Sequence, residues 1–296
     1  MSSDKFEDTF KIDDKTAKVL TWKGYKLKKR LSAGAFGQVY TALNKKGEIC
    51  AVKIINLEKV SDKFKVKFLP RELSALIAVR HENVIKIYDI FKSRGRIYIF
   101  IKFASNGTIS DFLKKNGALT EPHACIWFTQ STDALRFLHD QLKIAHRDIK
   151  IDNILLDEND IAKLTDFGFA KESVDKETNE MIVSETFCGT EPYYSPQIVM
   201  RKPYNPFLAD VWAMGVVLFA MLNNKFPFHF GDARVMLREQ KDPNHIRKRY
   251  VKEFSKEYKQ LQGDMFEVNE KERISCSECL ESEWVKRRGQ CEWVKG

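Results

Sequence analysis

The chain has 296 residues, 43% of them hydrophobic and 31% charged, with only 8 prolines. That balance excludes a disordered or low-complexity protein, and the length allows one large domain or two lobes around a shared cleft. The formal charge of +9 is spread over short clusters broken by acids (Lys26 to Arg30, Arg247 to Arg249, Lys286 to Arg288), which read as solvated faces rather than a nucleic-acid stripe.

Residues 1–20 are polar and lack a clear period, so they read as a flexible extension or a loosely docked arm. MSSDKFEDTF carries acids where a secretory signal needs an apolar core, and the six cysteines are scattered, which points to an intracellular, reducing compartment. From Tyr25 to Ile101, short apolar runs alternate with glycines and charges, predicting strands at Lys26 to Leu31, Val39 to Leu43, Ile49 to Ile55, Ile85 to Ile90 and Arg96 to Ile101. Between them, Leu69 to Val79 sets Glu72, Leu76 and Val79 on one helical face. After Lys102 the spacing becomes helical. Thr120 is placed as an N-cap before Pro122, and Ala124, Trp127, Phe128, Ala134, Leu135 and Leu138 form one stripe. Further helices are predicted around Tyr194 to Met200, Ala209 to Leu222, Ala233 to Gln240, Glu257 to Met265 and Ser275 to Leu280. The longest apolar run, Val211 to Leu222, is 12 residues and reads as a core helix, since a membrane span is longer. Cys276 and Cys279 form a CxxC with no second pair or nearby histidines, which favours a buried helical pair over a zinc site. The fold class is therefore α+β, a small sheet with one prominent helix followed by a mainly helical part.

Leu31-Ser32-Ala33-Gly34-Ala35-Phe36-Gly37-Gln38-Val39 is a turn whose glycines allow backbone amides close to a phosphate chain, although a plain hairpin has the same look. Lys53 lies inside the apolar strand Ala51 to Ile54, where its charge needs a partner; Glu72, nineteen residues on, is the candidate. His146-Arg147-Asp148-Ile149-Lys150-Ile151-Asp152-Asn153 is a charged stretch between apolar ones, and Asp166-Phe167-Gly168 stands 13 residues after Asn153.

In this order and spacing, the motifs resemble the eukaryotic protein kinases of serine/threonine type over about Tyr25 to Trp284. The resemblance implies a bilobal fold: an extension over 1–20, a kinase domain over 21–288 (N-lobe 21–101, C-lobe 102–288) and a tail over 289–296. It implies ATP and Mg2+ as cofactors and protein serine or threonine hydroxyls as substrate. Asp148 would be the base and Lys150 would balance developing charge, while Asn153 and Asp166 would hold Mg2+. Lys53, held by Glu72, would orient the phosphates under Gly34, Phe36 and Gly37. The adenine would lie between Leu31, Val39, Ala51 and Leu155, with Ile101 behind it and Lys102, Phe103 and Ala104 as hinge. Ser184 to Gln197 resembles an activation segment. Thr186 would be phosphorylated, by an upstream kinase or by the chain itself, and its phosphate would be received by Arg147 and Lys171, with Ser184 as the alternate site.

Three departures stand out: Ser32 for the first loop glycine, Ile151 for a common proline, and Ser195-Pro196-Gln197 for Ala-Pro-Glu. The last turns an expected ion pair with Arg273 into a neutral hydrogen bond. Thr186-Phe187-Cys188-Gly189-Thr190 and Arg234-Val235-Met236-Leu237-Arg238 most resemble the testis-specific kinases of the calmodulin-dependent group, which implies a role in male germ cells. Asp152 suggests a preference for an arginine upstream of the acceptor, although Thr108 stands where some relatives carry a second acid. No nucleic-acid or membrane partner is expected, and the location implied is cytoplasmic with nuclear entry open. The rival expectation is a pseudokinase scaffold, which Ser32 and Gln197 alone favour.

Overall fold

The computed structural model describes residues 12–34, 37–59, 77 and 79–288. The chain divides into two compact units, Met1–Arg80 with Ile85–Phe103, and His81–Val84 with Ala104–Gly296.

The first unit is built on an antiparallel sheet of β1 (Lys26–Gly34), β2 (Gly37–Leu43), β3 (Ile49–Asn56), β4 (Ile87–Ser93) and β5 (Arg96–Lys102), in the order β1-β2-β3-β5-β4. The alternation predicted all five, with β4 displaced: it starts at Ile87 and continues through Ser93, after a bulge between Ile87 and Asp89. Val39 pairs with Lys53, Lys53 with Ile99, and Ala51 with Ile101. Residues directly opposite share a face, so one face carries Val39, Ala51, Lys53 and Ile101. The other carries Tyr40, Ala42, Cys50, Val52, Ile54, Tyr98 and Phe100, all buried in one apolar cluster.

α1 (Asp14–Lys23) packs into that cluster through Val19 and Leu20. The stretch read as an extension therefore holds, among its described residues, most of a helix. The Asp13 side chain accepts from Thr16 N at its start, and Gly24 in the left-handed region (φ 82°) ends it. Arg96 pairs with Asp13 and Lys23 with Asp89, each at 3.1 Å, fastening both ends to the sheet. The helix predicted over Leu69 to Val79, with Glu72, falls almost wholly outside the described residues.

The second unit is mainly helical: α2 (Ile109–Asn116), α3 (Glu121–Asp140), α4 (Pro196–Val199), α5 (Pro206–Asn223), α6 (Ala233–Lys241), α7 (His245–Arg249), α8 (Lys256–Met265), α9 (Cys276–Leu280) and α10 (Glu283–Arg288). Short strands β6 (Ile144–Ala145), β7 (Ile154–Leu156), β8 (Ala162–Leu164) and β9 (Lys171–Glu172) pair as β6 with β9 and β7 with β8. α5 is the one helix among the described residues long and apolar enough to cross a membrane, and it is 89% buried as the core of this unit. Thr120 sits at the N-cap of α3, but its side chain accepts no capping bond. Instead the Glu121 carboxylate clamps distant chain, accepting from Ser255 N (3.0 Å), Ser255 Oγ (2.6 Å) and Trp284 Nε1 (2.8 Å). Cys276 and Cys279 are buried free thiols on α9, pushed up by desolvation. Among the described residues no cluster of three or more His, Cys, Asp or Glu side chains could hold a metal.

Leu20 is 1% exposed and Trp22 of the same helix is 77% exposed. Leu20→Ala should destabilise the protein by about 3 kcal/mol in chemical denaturation, whereas Trp22→Ala should change it by no more than about 0.5 kcal/mol.

Candidate active site

The site in the second unit is organised from α5. Asp210, 2% exposed, accepts from the backbone amides of His146 (Oδ2, 2.7 Å) and Arg147 (Oδ1, 2.7 Å), and its Oδ2 is also 3.0 Å from His139 Nε2 of α3. A carboxylate this deep needs such donors to offset its lost hydration. His139 Nδ1 in turn lies 3.6 Å from the Cys276 thiol of α9. These bonds hold the loop after β6 in a contorted path in which Arg147 has φ 64°, a conformation L-residues adopt only when the surroundings enforce it. His146 Nδ1 accepts from Asp148 N at 3.3 Å, so its Nε2 carries the proton and donates to Thr165 O at 2.9 Å.

Asp148 follows, with its side chain 4% exposed. Lys150 Nζ is 2.8 Å from Oδ2, Asn153 Nδ2 donates to Oδ2 (3.0 Å) and to the Asp148 carbonyl (2.8 Å), and Thr190 Oγ1 donates to Oδ1 at 2.7 Å. Lys150 Nζ also donates to Thr190 Oγ1 at 2.8 Å. The carboxylate is thereby fixed by one cation and one amide from its own loop and by one hydroxyl from a segment 42 residues away. In the sequence Thr190 is one residue of the Ser184 to Gln197 segment; its tie to Asp148 spans 42 residues and has no local signature. Gly189 before it has φ 108°, and a Cβ there would lie 2.9 Å from Arg147 O, so only glycine lets this segment approach the loop.

Asp166 also sits in the left-handed region (φ 64°, ψ 68°), and the amide of Thr165 before it donates to Asn153 O at 3.0 Å. The Phe167 ring packs on His146 with centroids 5.3 Å apart. Thr186 is half-buried; its amide donates to Ser184 Oγ at 3.3 Å and its carbonyl accepts from the Tyr204 hydroxyl at 2.8 Å. Arg147 and Tyr204 line one small cavity beneath this segment, and burial pushes the Tyr204 phenol up to about 12. Arg147 Nε donates to Phe169 O at 2.7 Å, whereas Lys171 is exposed on β9. Ala104 is buried and Leu155 of β7 half-buried in this unit.

In the first unit, Leu31 is exposed at 45%, Val39, Lys53, Ile101 and Phe103 are half-buried, and Ala51 is buried. Gly34 closes β1 and Gly37 opens β2. A Cβ on Gly37 would lie 2.5 Å from Ile54 O, so this glycine is required by the approach of β2 to β3 whatever else it does. Phe36 and Glu72 lie outside the described residues.

The neutral replacement at Gln197 is visible. Arg273, 4% exposed, donates to Gln197 Oε1 (3.1 Å), Glu267 O (2.8 Å) and Leu208 O (2.9 Å), and Gln197 Nε2 donates to Val268 O at 2.7 Å. Burial lowers the Arg273 guanidinium to about 10, still charged at neutral pH.

A family model described as "Protein kinase domain" matches residues 25–285. The chain is 34% identical over 281 residues to the mouse testis-specific serine/threonine-protein kinase 1, covering 94% of this chain and 76% of that one. It is 37% identical over 231 residues to the human testis-specific serine/threonine-protein kinase 4, covering 73% and 69%. It is also similar to the rice CBL-interacting protein kinase 12, at 33% over 264 residues, covering 89% and 48%.

Two substitutions test this geometry. Thr190→Val, nearly isosteric, should lower kcat by about tenfold or more with little change in KM and in melting temperature, and Thr190→Ser should restore most of it. Gln197→Ala leaves a buried guanidinium nitrogen unpaired and should cost about 2 kcal/mol in denaturation.

Proposed function

The chain belongs to the protein kinase family, and from that premise we propose that it is an active serine/threonine kinase whose base is Asp148. The observation that carries this reading is the Asp148 carboxylate held at once by Lys150, Asn153 and Thr190. Oδ1 takes one hydrogen bond from Thr190 and has a second lone pair for the hydroxyl of a substrate serine or threonine. Asp148 would orient that hydroxyl and take its proton as the oxygen attacks, and Lys150, already 2.8 Å from Asp148 Oδ2, would offset negative charge on the transferring group.

Protein kinases in general use ATP with Mg2+, and the nucleotide supplies the phosphoryl group. The residues present fit that requirement. Asn153 spends its Nδ2 on Asp148, which leaves Oδ1 as an oxygen ligand, and Asp166 adds a carboxylate. Few protein oxygens of this kind suit a cation that completes its shell with phosphate and water. On the first unit, Lys53 is assigned to the nonreacting phosphates with Glu72 as its partner. Leu31, Val39, Ala51, Ile101, Phe103, Ala104 and Leu155 are assigned to the adenine, with Gly34, Phe36 and Gly37 near the phosphates.

Thr186 is the assigned activating phosphosite, modified by an upstream kinase or by the chain itself. Its carbonyl is held by Tyr204, which shares a cavity with Arg147, so a phosphate there adds close to two negative charges near a fixed guanidinium, with Lys171 as the outer cation. Asp152 is exposed beside the catalytic loop and supports recognition of an arginine upstream of the acceptor. Thr108 brings no charge to that recognition, and it forms the capping box of α2 with Asp111. The testis-specific names of the relatives support work in male germ cells.

Transfer of labelled phosphate from ATP and Mg2+ to a basic protein should fall about 10^3-fold in Asp148→Asn. Equal transfer by the variant would remove Asp148 as base, and no transfer by the parent with Thr186 phosphorylated would leave the scaffold reading. Thr186→Ala should abolish activation by an upstream kinase while retaining basal transfer.

A further inference from the structure

Between residues 233 and 260 the chain places nine basic residues against four acidic ones, more than half of its net charge of +9. These residues belong to α6, α7, α8 and the turns joining them, none of which carries a group assigned to phosphoryl transfer. Together they border a groove with an accessible volume of about 1060 Å³. Its lining is mixed, with the buried rings of Phe228 and Phe266 and the half-buried Tyr250 at its apolar part, and Val251 at its edge is 51% exposed. Its rim carries Lys241, Arg247, Lys252 and Lys256, all exposed. Lys259 and Lys248 are already paired, with Glu253 and Asp242, but among the described residues no carboxylate lies within ion-pair distance of those four.

A second observation is independent of charge. Gly263 lies inside α8 and lines the groove, and a Cβ built on it would meet, beyond its chain neighbours and its own helix backbone, no atom of the described residues within 4 Å. A glycine inside a helix costs about 1 kcal/mol relative to alanine. At Gly215 of α5 the reason is internal, since a Cβ there would lie 2.9 Å from the Phe266 ring. At Gly263 no neighbour among the described residues requires it. Glycine in such a position clears the helix backbone for close approach from outside. Gln240, 5% exposed, also lines the groove; its Oε1 has no partner, while its Nε2 donates to Tyr194 O of the segment that carries Thr190.

We propose that this groove docks an acidic peptide segment of a partner protein, with a bulky apolar side chain of that segment seated against Phe228, Tyr250 and Phe266 over Gly263. Cations without a carboxylate partner beside aromatic rings complement acids flanking an apolar anchor, an arrangement that sets both on-rate and register. A polynucleotide would satisfy the rim and leave those rings uncovered.

The test begins with a library of short random peptides selected on the full chain and counter-selected on Gly263→Leu, which fills the groove while improving the helix. Enriched peptides should combine several Asp or Glu residues with a bulky apolar one. The best of them, made synthetically and labelled, should bind the parent in fluorescence anisotropy. Its affinity should drop about tenfold or more in Gly263→Leu and in Lys252→Glu/Lys256→Glu. Both variants should melt no lower than the parent and phosphorylate a short peptide substrate at the parental rate. No enrichment, enrichment without acids, or equal binding to Gly263→Leu would overturn the proposal. So would a single-stranded oligonucleotide that binds as tightly and ignores Gly263→Leu, which would make the tract a general polyanion surface.

Discussion

The amides of His146 and Arg147 both point at the Asp210 carboxylate, and the geometry of the loop that carries Asp148 depends on those two bonds. Without them two buried N–H donors would lack partners, at about 1–3 kcal/mol each, and the left-handed conformation of Arg147 would lose its backbone anchor. The orientation of Asp148 is inherited from this anchor. Because α5 is almost entirely buried, the anchor is rigid, and the loop borrows that rigidity instead of requiring its own core.

The sheet of the first unit divides its labour by face. One face is closed by α1 and gives the unit its stability, while the other presents Val39, Ala51, Lys53 and Ile101. Lys53 is tolerable in an apolar strand because it lies on the face that α1 does not cover. Gly37 illustrates how function and fold coincide at one position: the glycine that a nucleotide-binding reading demands is also the one that strand packing demands.

The five strands and α3 were legible because their apolar residues recur with a period, and α5 because it holds one unbroken apolar run. α1 was not, since its buried positions among charged neighbours are few (Thr16, Val19 and Leu20). α2 was signalled by Thr108 and Asp111 at capping-box spacing, and its shortness hid it. Within the site, Asp148, Lys150, Asn153 and Asp166 stand in contiguous motifs and could be singled out from the text. Thr190 could not, because its role exists only once segments 42 residues apart meet. Gln197 and Arg273 lie between these cases: the resemblance predicted the pair, and the structure added the two backbone carbonyls, Glu267 O and Leu208 O, that share the guanidinium.

The Glu121 clamp has a consequence for the order in which the molecule is made. Its carboxylate joins the start of α3 to Ser255 and Trp284, across 134 and 163 residues. Contacts of this span close late, because a long loop must first be ordered. A growing chain on the ribosome therefore carries Asp148, Asn153 and Asp166 before the residues that lock the start of α3 have emerged, and during that interval the Glu121 end of α3 stays unclamped.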